Sequence, residues 1–298
     1  MSYTSDEIGS QPLTWRKAVD HGRELDPDTF LPGRRLAVVG CGTSFHMAQA
    51  FAVLREARGL GETDAVVASE WRAARRYDAV VALSRSGTTT EVVRVLEGLD
   101  GGVASVAISA VAGTPVVRAA GDAVLLEFAD EQSIVQTRFA TSALAMWRAH
   151  LGDDLEPVVK AAERALLAPL PAAPEGLDHV VFLGRGWTVG LANEAALKLR
   201  EAAGARTESY PAMEYLHGPI AAAGPATLVW AMDELPHPLA GELRRVGALL
   251  VRPSADPMAS LVLAQRLALA MAEARNLDPD HPLHLTRSVV LPATPSST

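Results

Sequence analysis

Two stretches of the chain follow one pattern: LAVVGCGTSFHMAQAFA, beginning at Leu36, and VVFLGRGWTVGLANEAA, beginning at Val180. Each has an apolar run, Gly-x-Gly, a short variable gap and an Ala-rich segment, so that Gly40 and Gly42 answer to Gly184 and Gly186. A strand, a tight turn and a helix repeated in two halves constrain the chain to a duplicated α/β unit. Further apolar runs alternate with Ala-rich stretches of helical period: AVVAS, AVVALS, VASVAIS and DAVLLEF in the first half, ATLVWAM and GALLVR in the second. This alternation predicts parallel sheets flanked by helices. Gly-x-Gly after a strand also opens nicotinamide dinucleotide sites, but that fingerprint needs a third small residue, and Phe45 or His46 stands there.

The 298 residues suit two ordinary domains, and LLAPLPAAPEGLDH, with three prolines and a glycine, breaks any helix between the halves. The expected organisation is a first domain over 1–168 with an N-terminal helix, a Pro-rich linker over 169–178 and a second domain over 179–298. With 27 basic and 35 acidic residues the formal net charge is -8, and the arginines are scattered, so no nucleic-acid partner is expected. The polar, acidic start MSYTSDEIGSQPLTW is not a signal peptide, and no apolar run reaches the ~18 residues of a membrane span. A cytoplasmic protein that binds no membrane is expected. Cys41 is the single cysteine, so it forms no internal disulfide or cysteine-based zinc site. No metal or cofactor is expected.

The segment VVALSRSGTTTEVV sets Ser84, Arg85, Ser86, Gly87, Thr88 and Thr89 between a buried strand and an amphipathic helix. A helix N-terminus presents free N–H groups and a positive dipole, the hydroxyls add donors, and Arg85 adds charge; together they suit a phosphate monoester. A Ser/Thr turn that caps its own helix fits the same residues. Within LANEAALKLREAAGA, Glu194, Lys198 and Glu201 share one helix face beside an apolar stripe of Ala192, Ala195, Leu199 and Ala202. That spacing by itself fits a solvated face with a Glu–Lys pair.

The motifs EIGSQP, GCGTS, SEWR, SRSGTT, EQSIVQTR, FLGRG, NEAALKLRE, HGP and DPDHPLHLTRSV, in this order, resemble the sugar isomerase (SIS) family over nearly the whole chain. The resemblance is to the two-domain isomerase half of glucosamine-6-phosphate synthase and its free-standing deaminase-like and isomerase-like relatives. It implies two tandem SIS domains, each a flavodoxin-like three-layer sandwich. It further implies that Ser84, Arg85, Ser86 and Thr89 cradle the phosphate of a hexose 6-phosphate while Thr43 and Ser44 hold the sugar. By the same resemblance Glu201 moves a proton between C1 and C2, Lys198 is the cation near the developing oxyanion, and Glu194 contacts the sugar. His217 opens the sugar ring from the neighbouring subunit of a homodimer. The family often has Gln at the Arg85 position and Glu at the Thr88 position, and no glutamine-hydrolysing domain is seen before residue 1, so the complete synthase is not expected.

At the position of the synthase's C-terminal lysine stands Arg287, which stays protonated and cannot form an imine. What remains is phosphate binding, ring opening by His217 and proton abstraction by Glu201. Three outcomes stay open. The first is isomerisation or deamination of a hexosamine 6-phosphate, glucosamine 6-phosphate or N-acetylglucosamine 6-phosphate. The second is dehydration of N-acetylglucosamine 6-phosphate by loss of its C3 hydroxyl. The third is non-catalytic sensing of a sugar phosphate.

Overall fold

Strands β1 (Arg35–Gly40) and β3 (Ala79–Leu83) are buried almost end to end, which is why they read as unbroken Val-rich runs. In the computed structural model, which describes residues 2–26, 30–31, 33–177, 179–252 and 255–292, they lie at the centre of a parallel five-stranded sheet. Its other strands are β2 (Glu62–Val67), β4 (Ala104–Ser109) and β5 (Asp122–Leu125), in the order β2-β1-β3-β4-β5. In the register, Leu36 faces Ala79 and Val81 faces Val106. The second sheet holds β6 (His179–Gly184), β7 (Thr207–Pro211), β8 (Thr227–Ala231) and β9 (Leu249–Val251), in the order β7-β6-β8-β9. Strand for strand this repeats the first order without a counterpart to β5. It is the flavodoxin-like order and not that of the dinucleotide-binding fold.

The eight apolar runs all become strands, and β7 is added to them. Its sequence, TESYP, is half polar and ends in proline because it is an edge strand with a single partner. The expected N-terminal helix is two, Tyr3–Gly9 and Gln11–Glu24, separated at Ser10. Pro12, in the first turn of the second, starts a helix readily but cannot continue one. Between the halves, helix Glu156–Leu167 ends, a short turn spans Pro174–Gly176, and β6 begins at His179. Asp178, at the end of the expected linker, and the tail from 293 lie outside the described residues. One hydrophobic cluster runs through both halves, from Leu36 and Val38 through Phe51 and Trp147 to Phe182 and Trp230.

The repeat has a spatial counterpart. Helix Thr43–Ala57 follows β1 and helix Thr188–Ala203 follows β6, and the two pack against each other. Asn193 Nδ2 donates to Gln49 Oε1 at 2.8 Å, and these positions are offset by 144 residues. Gly190 and His46 share that offset, and a Cβ on Gly190 would lie 2.5 Å from the His46 carbonyl oxygen and 2.8 Å from Ala50 N. Only glycine lets the helices approach this closely. The close crossing draws the far end of the second helix over the carboxyl end of the first sheet.

Candidate active site

In both sheets the strand order reverses beside the central strand, and open α/β sheets bind ligands at such a point, outside the carboxyl ends of the strands. In the first sheet that point lies between the turn after β1, carrying Thr43 and Ser44, and the loop after β3, carrying Ser84 to Thr89. Thr43 and Ser44 are each 3% exposed. At the matching place after β8 the second sheet has Asp233 and Glu234, whose charge repels an anion. Among the described residues, the reversal points of the two sheets thus offer one candidate anion cradle.

The loop is built for polar contact. Gly87 has φ +63, and a Cβ there would fall 1.9 Å from Thr114 Oγ1, so no other residue makes this turn. Ser84 Oγ accepts from Gly87 N at 3.2 Å, and Ser86 Oγ accepts from Thr88 N at 3.3 Å and from Thr88 Oγ1 at 3.1 Å. Both serines are left with a hydroxyl hydrogen to donate. Thr89 is the N-cap of helix Thr90–Glu97, yet its side chain makes no capping hydrogen bond. The loop thus does not merely cap its own helix. The Arg85 side chain is 1% exposed, and its Nη atoms donate to the carbonyls of Ser133, Ile134 and Arg287.

Against Thr43 lies the cluster on helix Thr188–Ala203. Lys198 Nζ donates to Thr43 Oγ1 at 2.8 Å and to Glu201 Oε2 at 2.5 Å, and stands 3.3 Å from Glu194 Oε1. The side chains of Glu194 and Lys198 are 1% exposed, so this is no solvated face, whereas that of Glu201 is 21% exposed. Burial raises the Glu194 carboxyl to about 7, against the pull of Lys198 and with the help of Glu201. Burial alone would lower Lys198, but the charges of Glu194 and Glu201 outweigh it and hold the ammonium above its ordinary range. The cluster is a buried cation between two carboxylates, one of which reaches the opening.

Two neighbours were not singled out from sequence. Glu131 is 1% exposed, lies 3.5 Å from Arg85 Nη1, and acts electrostatically on Lys198, so it joins the loop to the cluster. Its only sequence signal is the motif EQSIVQTR. His46, one turn beyond Thr43, is held at Nδ1 by Gln49 Oε1 at 3.2 Å. Burial, with lesser contributions from Lys198 and Arg200, lowers it to about 4, so its ring is neutral at physiological pH.

The structure does not bring His217 to this cluster. It ends the short turn Glu214–His217 after β7 and is exposed. Among the described residues no hydrogen bond or ion pair links it to Glu194, Lys198 or Glu201. Arg287 donates through Nη2 to Asp130 Oδ1 at 2.5 Å and through Nη1 to the Glu131 carbonyl, beside Arg85. Among the described residues no helix is long and apolar enough to cross a membrane.

Residues 30–150 match the family model of the SIS domain. The chain is 30% identical over 317 residues to the isomerizing glutamine–fructose-6-phosphate aminotransferase of Aeropyrum pernix, covering 86% of this chain and 51% of that protein. Its counterpart in Methanothermobacter thermautotrophicus is 29% identical over 305 residues, covering 86% and 52%. The chain spans about half the length of these curated relatives. Glucosamine-6-phosphate deaminase from Thermotoga maritima superposes with a TM-score of 0.82 over 97% of this chain and 100% of its own, at 24% identity. Tagatose-6-phosphate ketose/aldose isomerase from Escherichia coli does so with 0.77 over 98% and 97%, at 20% identity. At these identities the superpositions show a shared fold. Residues 30–150 thus match the SIS-domain model, and 86% of the chain is similar to about half the length of each of these glutamine–fructose-6-phosphate aminotransferases.

Proposed function

We propose that the chain is a phosphosugar enzyme that takes a proton from C2 of a hexosamine 6-phosphate, as an aldose–ketose isomerase or deaminase. The observation that carries this reading is the Lys198 ammonium held 2.5 Å from Glu201, the one carboxylate of its cluster that reaches the opening. The phosphate sits on Ser84, Ser86 and Thr89, which orients the open-chain sugar with C1 and C2 toward Glu201. Glu201 takes the C2 proton, the bonding pair becomes the C1–C2 double bond, and the C1 oxygen gains the charge that Lys198 stabilises. Return of a proton to C1 gives the 2-keto sugar or, from an amine, a C2 imine that water hydrolyses to ketose and ammonia. His217 opens the ring from a second copy of the chain, in keeping with its exposed position.

Arg287 favours a second reading. Its guanidinium is tied to Asp130 and is no amine nucleophile. An N-acetylated substrate, which forms no imine readily, would send the same electron pair toward C3 and expel its hydroxyl.

Thermal unfolding with glucosamine, N-acetylglucosamine, glucose and fructose 6-phosphates tests the binding half of the proposal. A ligand bound only by the folded state raises apparent stability, by about 2.7 kcal/mol at 100 times its Kd. The phosphates should raise Tm, the free sugars should not, and joint Ser84→Ala and Ser86→Ala substitution should abolish the rise. Equal shifts from free sugars would refute the phosphate cradle. Product mass then separates the outcomes: unchanged for isomerisation, ammonia released for deamination, water lost for dehydration. Binding without turnover would leave a sugar-phosphate sensor.

A further inference from the structure

Arg85 stands in the middle of the Ser84–Thr89 loop, yet its side chain is directed to protein acceptors. Nη1 donates to the carbonyls of Ser133 at 2.9 Å and Ile134 at 3.3 Å, and lies 3.5 Å from Glu131 Oε2. Nη2 donates to the Arg287 carbonyl at 3.1 Å. The carbonyl of Arg85 itself accepts from Ser109 Oγ and from Ala110 N, both at 3.2 Å. One residue thus joins the loop, the end of β4, the turn at 131–134 and the C-terminal segment. That segment continues across the start of helix Thr90–Glu97. Ser288 Oγ and Thr88 Oγ1 are 2.7 Å apart, the Val289 carbonyl accepts from Thr90 N at 3.2 Å, and Leu291 N donates to Thr90 Oγ1 at 2.9 Å.

We infer that Arg85 is a positioning residue, a guanidinium clamp that fixes both the Ser84–Thr89 loop and the crossing segment 287–291, so that the loop receives its phosphate through hydroxyls and backbone amides. The inference rests on the phosphate reading of the loop proposed above, and adds how the loop is held and which groups meet the anion. The acceptors are split between Nη1 and Nη2 of a planar fork, whereas the three donors of a lysine ammonium radiate from one atom and cannot match that spacing. Glu131, 1% exposed, balances the charge. Its Oε1 accepts from Thr137 N at 2.5 Å and Arg138 N at 2.7 Å, so the counter-charge is itself held in place. Arg85 Nε is buried and has no hydrogen-bond partner.

The test uses the full chain as wild type, Arg85→Lys and Arg85→Gln. Hydrogen exchange without ligand reads the clamp, and titration with glucosamine 6-phosphate and fructose 6-phosphate reads its consequence. Both substitutions should speed exchange at 287–291 and 131–135 by about tenfold while the amides of β1 and β6 keep their wild-type rates, since local opening leaves the core closed. Arg85→Lys should weaken binding as much as Arg85→Gln does, about tenfold, because the loss is of geometry and not of charge. Unchanged exchange at 287–291 overturns the clamp. An Arg85→Lys protein with wild-type affinity overturns the positioning role and makes Arg85 a direct contact of the anion. If the wild type binds no sugar phosphate, the phosphate reading fails by itself and the exchange data still decide the clamp. Should the Arg85 variants not fold, Glu131→Gln reads the same exchange at 287–291, with acceleration expected and wild-type rates contradicting the clamp.

Discussion

Lys198 Nζ donates to Thr43 Oγ1 at 2.8 Å, joining the end of the helix after β6 to the start of the helix after β1. A face built by the second half of the chain is thereby joined to the turn after β1. The ammonium between Glu194 and Glu201 also decides what the cluster costs, because a buried charge left without its partner is strongly destabilising.

Lys198→Met should destabilise the fold by about 3–5 kcal/mol at pH 8, where the buried Glu194 must either stay an anion without its cation or take up a proton. The loss should be smaller at pH 5, where Glu194, raised to about 7, takes up a proton. Urea unfolding at the two pH values measures the difference. An equal loss at both would mean that the carboxylates are not what Lys198 neutralises.

Glu194 gives a pH dependence of its own. Its folded-state value of about 7 lies above the ordinary 4.5, so between these pH values the folded chain binds more protons than the unfolded one. Stability should therefore fall as pH rises from 4.5 to 7, by ~3 kcal/mol from this group. Glu7, raised by burial, acts with the same sign, so part of the slope belongs to it. Glu194→Gln should remove most of the fall, and a variant curve parallel to the wild type would assign the slope elsewhere.

The strands were legible because each central strand is buried on both faces, which leaves a Val-rich run with no polar period. β7 was not, since an edge strand with one partner has little apolar surface to show. The spacing of Glu194, Lys198 and Glu201 put them on one face, but their burial depends on Thr43, 155 residues from Lys198. The partners of the Arg85 side chain were hidden for the same reason. A charge in a phosphate-like loop suggests an anion, and the acceptors that take it up are 48, 49 and 202 residues away. Glu131 stood in a recognised motif with nothing local to reveal which cation it faces. The crossing at Gly190 was foreshadowed only by the repeat, which gave equivalence of the helices without their contact.

His217 is exposed and apart from Glu201 within the chain, so a shared site makes a definite prediction for mixed subunits. His217→Ala and Glu201→Ala proteins should each be inactive, and their mixture should recover activity through dimers that assemble one intact site. Mass spectrometry confirms the exchange. No recovery in a confirmed heterodimer would place ring opening on another group.

The central claim is that Glu201 takes a proton from C2, and isotope exchange reads that step whatever product follows. The hexose 6-phosphates are incubated in D₂O with wild-type and Glu201→Gln protein, and deuterium at the exchanging carbon is followed by NMR. Wild type should incorporate deuterium from at least one hexosamine 6-phosphate. Glu201→Gln should bind the same ligand and exchange it at least about 100-fold more slowly, the lower end of what a positioned base contributes. Exchange that survives in Glu201→Gln, or a wild type that binds the phosphates and exchanges none, would contradict the claim.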